Sequence, residues 1–408
     1  MIKRDDFIVF SFEALLIFLI LLAPLFAGSL LSVPSSVIQL VPFFLLFALI
    51  LRIATGTEHK IFYPLGIFYL FGFFLIAIFQ LAPLSKNLLQ AISPKTAYLY
   101  QNYLSPQIEK SIYSLTLYPF STKQELIKIF SFFCIFFVVI NVVNKRAQFE
   151  RLFIIIFFWA AILAFYGIMK KYLISGQEGD TVVFSTFSYR NIYANYMQMV
   201  VPLCIGYALF CDNLYKKAFF SFLAAVMAVS VFLSLSRIGS VSLIISLLLM
   251  SGCFLVSRKS NRRKNAIIIM LIVVIIGGLF LLTGVEPLVA RFSKTEAGIL
   301  SRGQIYKDSL GILKDFPIFG IGLGNFKHIF PSYQSFYSPY FIDKVHSDYL
   351  QFCIEAGMLA AFFCLLFFGT IFKDIIFEIK QRRDPFVKNI VIGGMCGLIG
   401  VIIHNLFD

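Results

Sequence analysis

The fold class predicted by this sequence is an all-α integral membrane protein, a polytopic bundle of about 11 to 12 transmembrane helices with a large, partly helical loop outside the membrane. Three observations predict it. Apolar residues make up 59% of the 408 and charged ones only 14%, and the mean hydropathy is +0.87. Apolar runs of about 18 to 25 residues recur along the whole chain, matching the roughly 20 residues a helix needs to cross a bilayer core. Lys and Arg gather in short breaks between the runs.

Each element follows from its own stretch. Residues 7–27 are long enough to be a first span and not a cleavable leader. Spans at 37–53 and 61–82 follow across a break containing Arg52 and Lys60. The polar stretch 83–124 is a loop, and 125–143 and 149–169 flank "NKR". A second loop, 170–190, precedes 191–211. Residues 218–256 hold one Lys or Arg, Arg237, and as one helix would be about 60 Å long, so the chain must turn at "SLSR" (234–237). That splits them into 217–233 and 238–256. After "RKSNRRK" (258–264) comes 266–284, then a long loop at 285–345. The spans 346–372 and 389–407 close the chain around "KQRR" (380–383).

Alternating these spans from a cytoplasmic N-terminus sorts the breaks into two sides. Segments 1–6, 52–60, 144–151, 212–217, 257–265 and 373–388 carry 19 Lys and Arg in 54 residues. Segments 28–36, 83–124, 170–190, 234–237 and 285–345 carry 15 in 137. Short Lys/Arg-rich loops stay in the cytoplasm, so the second side is extracytoplasmic. The expected organisation is one polytopic domain over 1–408, with extracytoplasmic loops at 83–124 and 285–345.

The formal net charge of +14 is therefore mainly a topology signal. No aromatic-basic module points to nucleic acid as a partner. The seven cysteines lie within spans or at their ends, which indicates neither a disulfide frame nor a CxxC metal site.

Chemistry is expected on the extracytoplasmic side. "FPIFGIGLGNF" (316–326) places Gly320, Gly322 and Gly324 at alternate positions. The spacing departs from nucleotide-binding loops, which need a strand before and a helix after, and the glycines read as a turn that needs positive φ. Arg237 sits at a hairpin tip between apolar helices, costly unless paired or facing a wet cavity. Snorkelling is its ordinary alternative. Arg190 opens a span with Asn191 and Asn195, four residues apart and so on one helical face; an interfacial anchor is the alternative. Arg302 lies on the amphipathic "SRGQIYKDSLGIL" (301–313), where Ile305, Leu310 and Leu313 are expected to pack down. His346 begins a span at the water boundary, where a near-neutral pKa suits a proton acceptor. Glu355, nine residues on, lies about 180° around the helix and is not placed to orient His346.

Taken in order, "F-x-YRN-x-YANY", "SLSRIGS", "SRGQIYKDSL…FPIFGIGLGNF" and "HSDYLQFCIEAG" resemble the O-antigen ligase and Wzy-type polymerase superfamily over residues ~185–360. The resemblance implies a GT-C-like membrane glycosyltransferase that inverts at the anomeric carbon; no cofactor or metal is expected, because the outer loops offer no convincing carboxylate cluster beyond Glu178 and Asp180. Such an enzyme moves a glycan from undecaprenyl diphosphate, in contact with membrane lipid, to a lipid A-core or glycan acceptor on the outer face of the inner membrane. It assigns catalysis to His346, Arg302 and Arg237, and donor diphosphate binding to Arg237, Arg302 and Arg190. Asn191, Asn195, Gly320, Gly322, Gly324 and Glu355 become supporting residues. Relatives continue past "H-x-x-x-D", here His404 to Asp408, into a further span.

Three alternatives stand beside the ligase reading. A Wzy-type polymerase or a protein O-oligosaccharyltransferase would share the chemistry and differ in acceptor. A metal-dependent transferase would use Glu178 and Asp180 of "QEGD" as cation ligands. A polysaccharide flippase fits the span number but lacks recognisable inverted repeats.

Overall fold

In hydrocarbon, a helix satisfies every backbone N–H and C=O within one segment, and the apolar runs of this chain adopt it. The computed structural model describes residues 4–26, 32–55, 61–103, 112–174, 183–255 and 295–407. The helices in chain order are α1 (Arg4–Phe26), α2 (Ser32–Thr55), α3 (Gly66–Phe79), α4 (Lys86–Ile92), α5 (Pro94–Tyr103), α6 (Pro119–Val142) and α7 (Arg146–Met169). They continue with α8 (Arg190–Phe210), α9 (Leu214–Leu233), α10 (Arg237–Leu255), α11 (Thr295–Asp315), α12 (Phe326–Ile329), α13 (Asp348–Gln381) and α14 (Pro385–His404). Among the described residues there is no strand. A single antiparallel bridge pairs Leu84 with Tyr113.

Nine of these helices are long and apolar enough to cross a membrane: α1, α2, α6 to α10, α13 and α14. The fold is all-α and polytopic, as the sequence predicts. The expected span 266–284 lies outside the described residues. The expected span 61–82 contains only the 14-residue α3, about 21 Å of helix, with Pro64 before it and Gln80 leaving at its end. The span expected from 346 runs on to Gln381 and is broken at Gly357. The turn at "SLSR" is present, with α9 ending at Leu233 and α10 starting at Arg237 around Leu235 at φ 52°.

The centre of the bundle is the contact of α8 with α14. A Cβ at Gly206 would lie 2.5 Å from the Asn389 carbonyl oxygen, and one at Gly393 would overlap that of Pro202. Small residues let two backbones meet where hydrophobicity alone gives no preference for protein over lipid. Around this contact α7, α9 and α10 close a core through Phe157, Tyr193, Met197, Met227, Leu243 and Phe254. A second apolar cluster joins α1, α2, α6 and α7.

Polar contacts collect at two ends. At one, Arg151 donates to both carboxylate oxygens of the buried Glu13 at 2.6 and 2.7 Å. There too Asn141 accepts from Phe62 N at 2.8 Å, and Arg146 lies over the rings of Phe210 and Phe386. At the other, Thr186 donates to Pro24 O and Val183 N to Leu233 O. Lys95 pairs with Asp315 at 3.1 Å and Leu117 N donates to Ile321 O at 3.2 Å. The second end gathers both long loops. Among the described residues, 83–103 and 112–118 meet the segment 295–345 there.

Candidate functional site

The end that carries the long loops also carries the candidate residues. Ser236 closes the turn between α9 and α10. Its hydroxyl accepts from Gly239 N at 3.3 Å and donates to Asn191 Oδ1 at 2.9 Å. This tie brings the start of α10, where Arg237 is the first residue, against the start of α8, where Arg190 is the first. Both arginines are half-buried.

One turn further along α8, Asn195 faces α14. Its amide donates to Asn405 Oδ1 at 2.9 Å, and its oxygen accepts from Gln198 Nε2 at 2.8 Å. The hydroxyl of Ser242 on α10 donates to Gln198 Oε1. A directed chain thus runs Ser242, Gln198, Asn195, Asn405. In a membrane interior such a chain is favourable because each polar group otherwise faces hydrocarbon.

Asn405 belongs to the turn that follows α14, and that turn joins the rest of the site. Its carbonyl accepts from Asp348 N at 3.1 Å, and the Phe407 carbonyl accepts from Arg302 Nη1 at 3.2 Å. Residues from α8, α11, α13 and α14 therefore meet there.

Arg302 reaches that turn because α11 is amphipathic, though with a stripe other than the one expected. Ile305, Ser309, Ile312 and Phe316 are the buried positions, while Leu310 is 47% exposed and Leu313 only partly covered. The stripe at i, i+4, i+7 and i+11 is the face of a 3.6-residue helix, and Leu310 falls off it.

One turn after Arg302, the Tyr306 hydroxyl donates to the His346 carbonyl at 2.7 Å. Burial pushes the Tyr306 phenol up, and the charge of Arg302 opposes it, so guanidinium, phenol and His346 backbone are neighbours. His346 itself has φ 64°. A left-handed backbone costs an L-residue roughly 1 to 2 kcal/mol and persists only where surrounding contacts impose it.

Beneath this cluster the glycine run forms a strap through a break in α13. Gly357 has φ 84° and ψ 161°, which splits α13 into two half-helices. The end of the first offers the carbonyls of Ile354 and Glu355, and these accept from Ile321 N and Gly322 N at 3.0 Å each. The start of the second offers Met358 N and Leu359 N, which donate to Pro317 O at 2.9 Å and Ile318 O at 3.3 Å. The strap satisfies both broken ends, which buried helix termini require.

Gly320, Gly322 and Gly324 have φ of 68°, 98° and 72°, the positive values the sequence expects. Glu355 is held by the strap and by its own helix. It accepts from Gly324 N at 2.7 Å, Phe326 N at 3.2 Å and Gln351 Nε2 at 3.1 Å. Gln80, at the end of α3, inserts from the side and donates to Phe319 O at 2.6 Å and Glu355 O at 2.9 Å.

Sequence reasoning misses Tyr306, Asn405, Gln198 and Gln80. Three of them carried a signal: a polar side chain inside or at the end of an apolar run marks a function or a partner. Tyr306 carried none beyond its place one turn from Arg302. Glu178 and Asp180 lie outside the described residues. Among the described residues no group of three or more His, Cys, Asp or Glu is arranged to hold a metal ion.

No curated protein matches the chain. Residues 222–365 match the family model described as O-Antigen ligase, a segment that includes Arg237, Arg302, the glycine strap and His346 and excludes Arg190, Asn191, Asn195 and Asn405. That match supports the resemblance to the O-antigen ligase/Wzy superfamily over the segment it covers.

Proposed function

We propose that this protein is an inverting glycosyltransferase that moves an undecaprenyl-diphosphate-linked glycan to a lipid A-core acceptor at the outer face of the inner membrane. The observation that carries this reading is the Tyr306 bond, which sets the backbone of His346 beside the helix that bears Arg302. A diphosphate leaving group gains negative charge as the glycosidic bond breaks. Guanidinium forks meet that charge with bidentate geometry and no proton loss. Arg302 and Arg237 have this role, with Arg190 at the head of α8 as a further donor contact. The acceptor hydroxyl attacks the anomeric carbon, its C–O bond forms as the C–O bond to phosphate breaks, and undecaprenyl diphosphate departs with the electron pair. His346 takes the hydroxyl proton. One displacement inverts the carbon.

The test is a reconstituted assay with a lipid-diphosphate glycan and, in separate arms, a lipid A-core acceptor and a second lipid-linked repeat unit. Transfer only to the second arm makes the protein a polymerase. Arg302→Lys keeps the charge and loses the planar fork, so kcat/KM is expected to fall about 10- to 100-fold, while excess EDTA leaves the wild-type rate unchanged. Loss of activity in EDTA with recovery in Mn²⁺ would assign the counter-charge to a metal instead.

Orientation has its own measurement. Lys/Arg density places the long loops outside the cytoplasm. In a chain freed of native thiols, a cysteine at Tyr337 or Tyr340, which are 90% and 81% exposed, should react with an impermeant reagent added to the outer face of intact spheroplasts. Protection of both in spheroplasts, with labelling only after lysis, reverses the orientation and removes the outer-face site.

A further inference from the structure

We infer that Tyr306 is a positioning residue that holds His346 in its left-handed conformation and thereby aims the imidazole at the acceptor. The inference rests on the proposed transfer reaction and adds to it a residue that neither the sequence motifs nor the family match singles out.

The geometry is a clamp on both sides of one strained residue. On the carbonyl side of His346, the Tyr306 hydroxyl donates at 2.7 Å. Two residues on, Asp348 N is held by the Asn405 carbonyl at 3.1 Å. One residue before, Val345 is fully buried and its N–H donates to Gln351 Oε1 at 3.2 Å. The chain is thus fixed at 345 and 348, and the peptide between them selects the direction in which the His346 side chain leaves. Moving φ from 64° to the ordinary negative range rotates the Cα–Cβ bond away from its present direction. The Tyr306 hydroxyl donates directly to that carbonyl. It stands one turn from Arg302 on α11, so the same helix sets both the proposed phosphate-binding guanidinium and the orientation of the proposed base.

Loss of one hydrogen bond of this kind predicts a kcat lower by about 5- to 50-fold in Tyr306→Phe, with the KM for the lipid-linked donor unchanged. A fastener of the loop alone would lower the amount of folded protein, or raise KM, without depending on His346. The discriminating measurement is the double variant. In a His346→Ala background Tyr306→Phe should cost nothing further, because there is no imidazole left to aim. An ester in place of the peptide between His346 and Ser347, which weakens the same carbonyl as an acceptor, should reproduce the kcat loss. It serves as the second probe if Tyr306→Phe does not fold.

The inference is overturned if kcat survives in the hydroxyl-deleted variant while His346→Ala is inactive, or if the two losses multiply in the double variant. Full activity in His346→Ala would instead remove the transfer mechanism on which the inference rests.

Discussion

Replacing His346 by alanine should lower the rate of glycan transfer by about 10² to 10⁴, leaving donor affinity close to wild type. The expectation follows from the division of labour in the site. In the proposed mechanism Arg237 and Arg302 hold the diphosphate and the imidazole handles only the acceptor proton, so its loss should affect the step in which that proton moves. The measurement is single-turnover transfer in detergent or nanodiscs, with donor binding followed separately. Alanine also tolerates φ 64° poorly, so His346→Asn, whose side chain adopts left-handed backbones more readily, is the matched control for folding. Both variants should show the same loss of rate and only the alanine one should be measurably destabilised. A rate near wild type in His346→Asn would show that no imidazole is needed.

Gly357→Ala is expected to abolish folded protein. At φ 84° and ψ 161° the residue occupies a region open essentially to glycine alone. A Cβ there would also overlap the Ile318 carbonyl oxygen and lie 2.5 Å from the carbonyl carbon of Phe319. Both are backbone atoms of the strap and cannot rotate away. Strain and overlap together cost at least about 3 kcal/mol, a large share of the margin of an ordinary domain. The consequence extends to function, because the strap joins α13 to the loop that leads into His346. The readout is monodisperse protein by size exclusion after membrane extraction. Gly369→Ala on the same helix, where a Cβ meets nothing within 4 Å, is the comparison and should behave as wild type. A well-folded Gly357→Ala protein would mean that the break in α13 is not required.

The positions of the nine long apolar helices among the described residues were legible because hydrophobicity acts over a local window. Asn191 and Asn195 were placed correctly on one face of α8 by helical period alone. Yet that period does not say that Asn191 meets Ser236 while Asn195 meets Asn405. The α11 stripe was half legible: Ile305 is buried, whereas Leu310 is exposed and the buried Ser309 takes its place. An apolar residue in an amphipathic segment marks a face only when the register is known, and the register of α11 is set by the loops packed under it.

The chain by itself therefore determined that the protein is a helical membrane bundle, and that Arg237, Arg302 and His346 lie at span ends or in a loop between spans. Composition and order suffice for these because each depends on the free energy of transfer of a short segment into lipid. Only the tertiary structure decided what those residues touch. Tyr306 and His346 are 40 residues apart, Arg302 and Phe407 are 105 apart, and Asn195 and Asn405 are 210 apart. It also decided that α13 breaks at Gly357 and that the glycine strap fills the break, since a broken helix is stable in a membrane only when a distant segment supplies the missing hydrogen bonds.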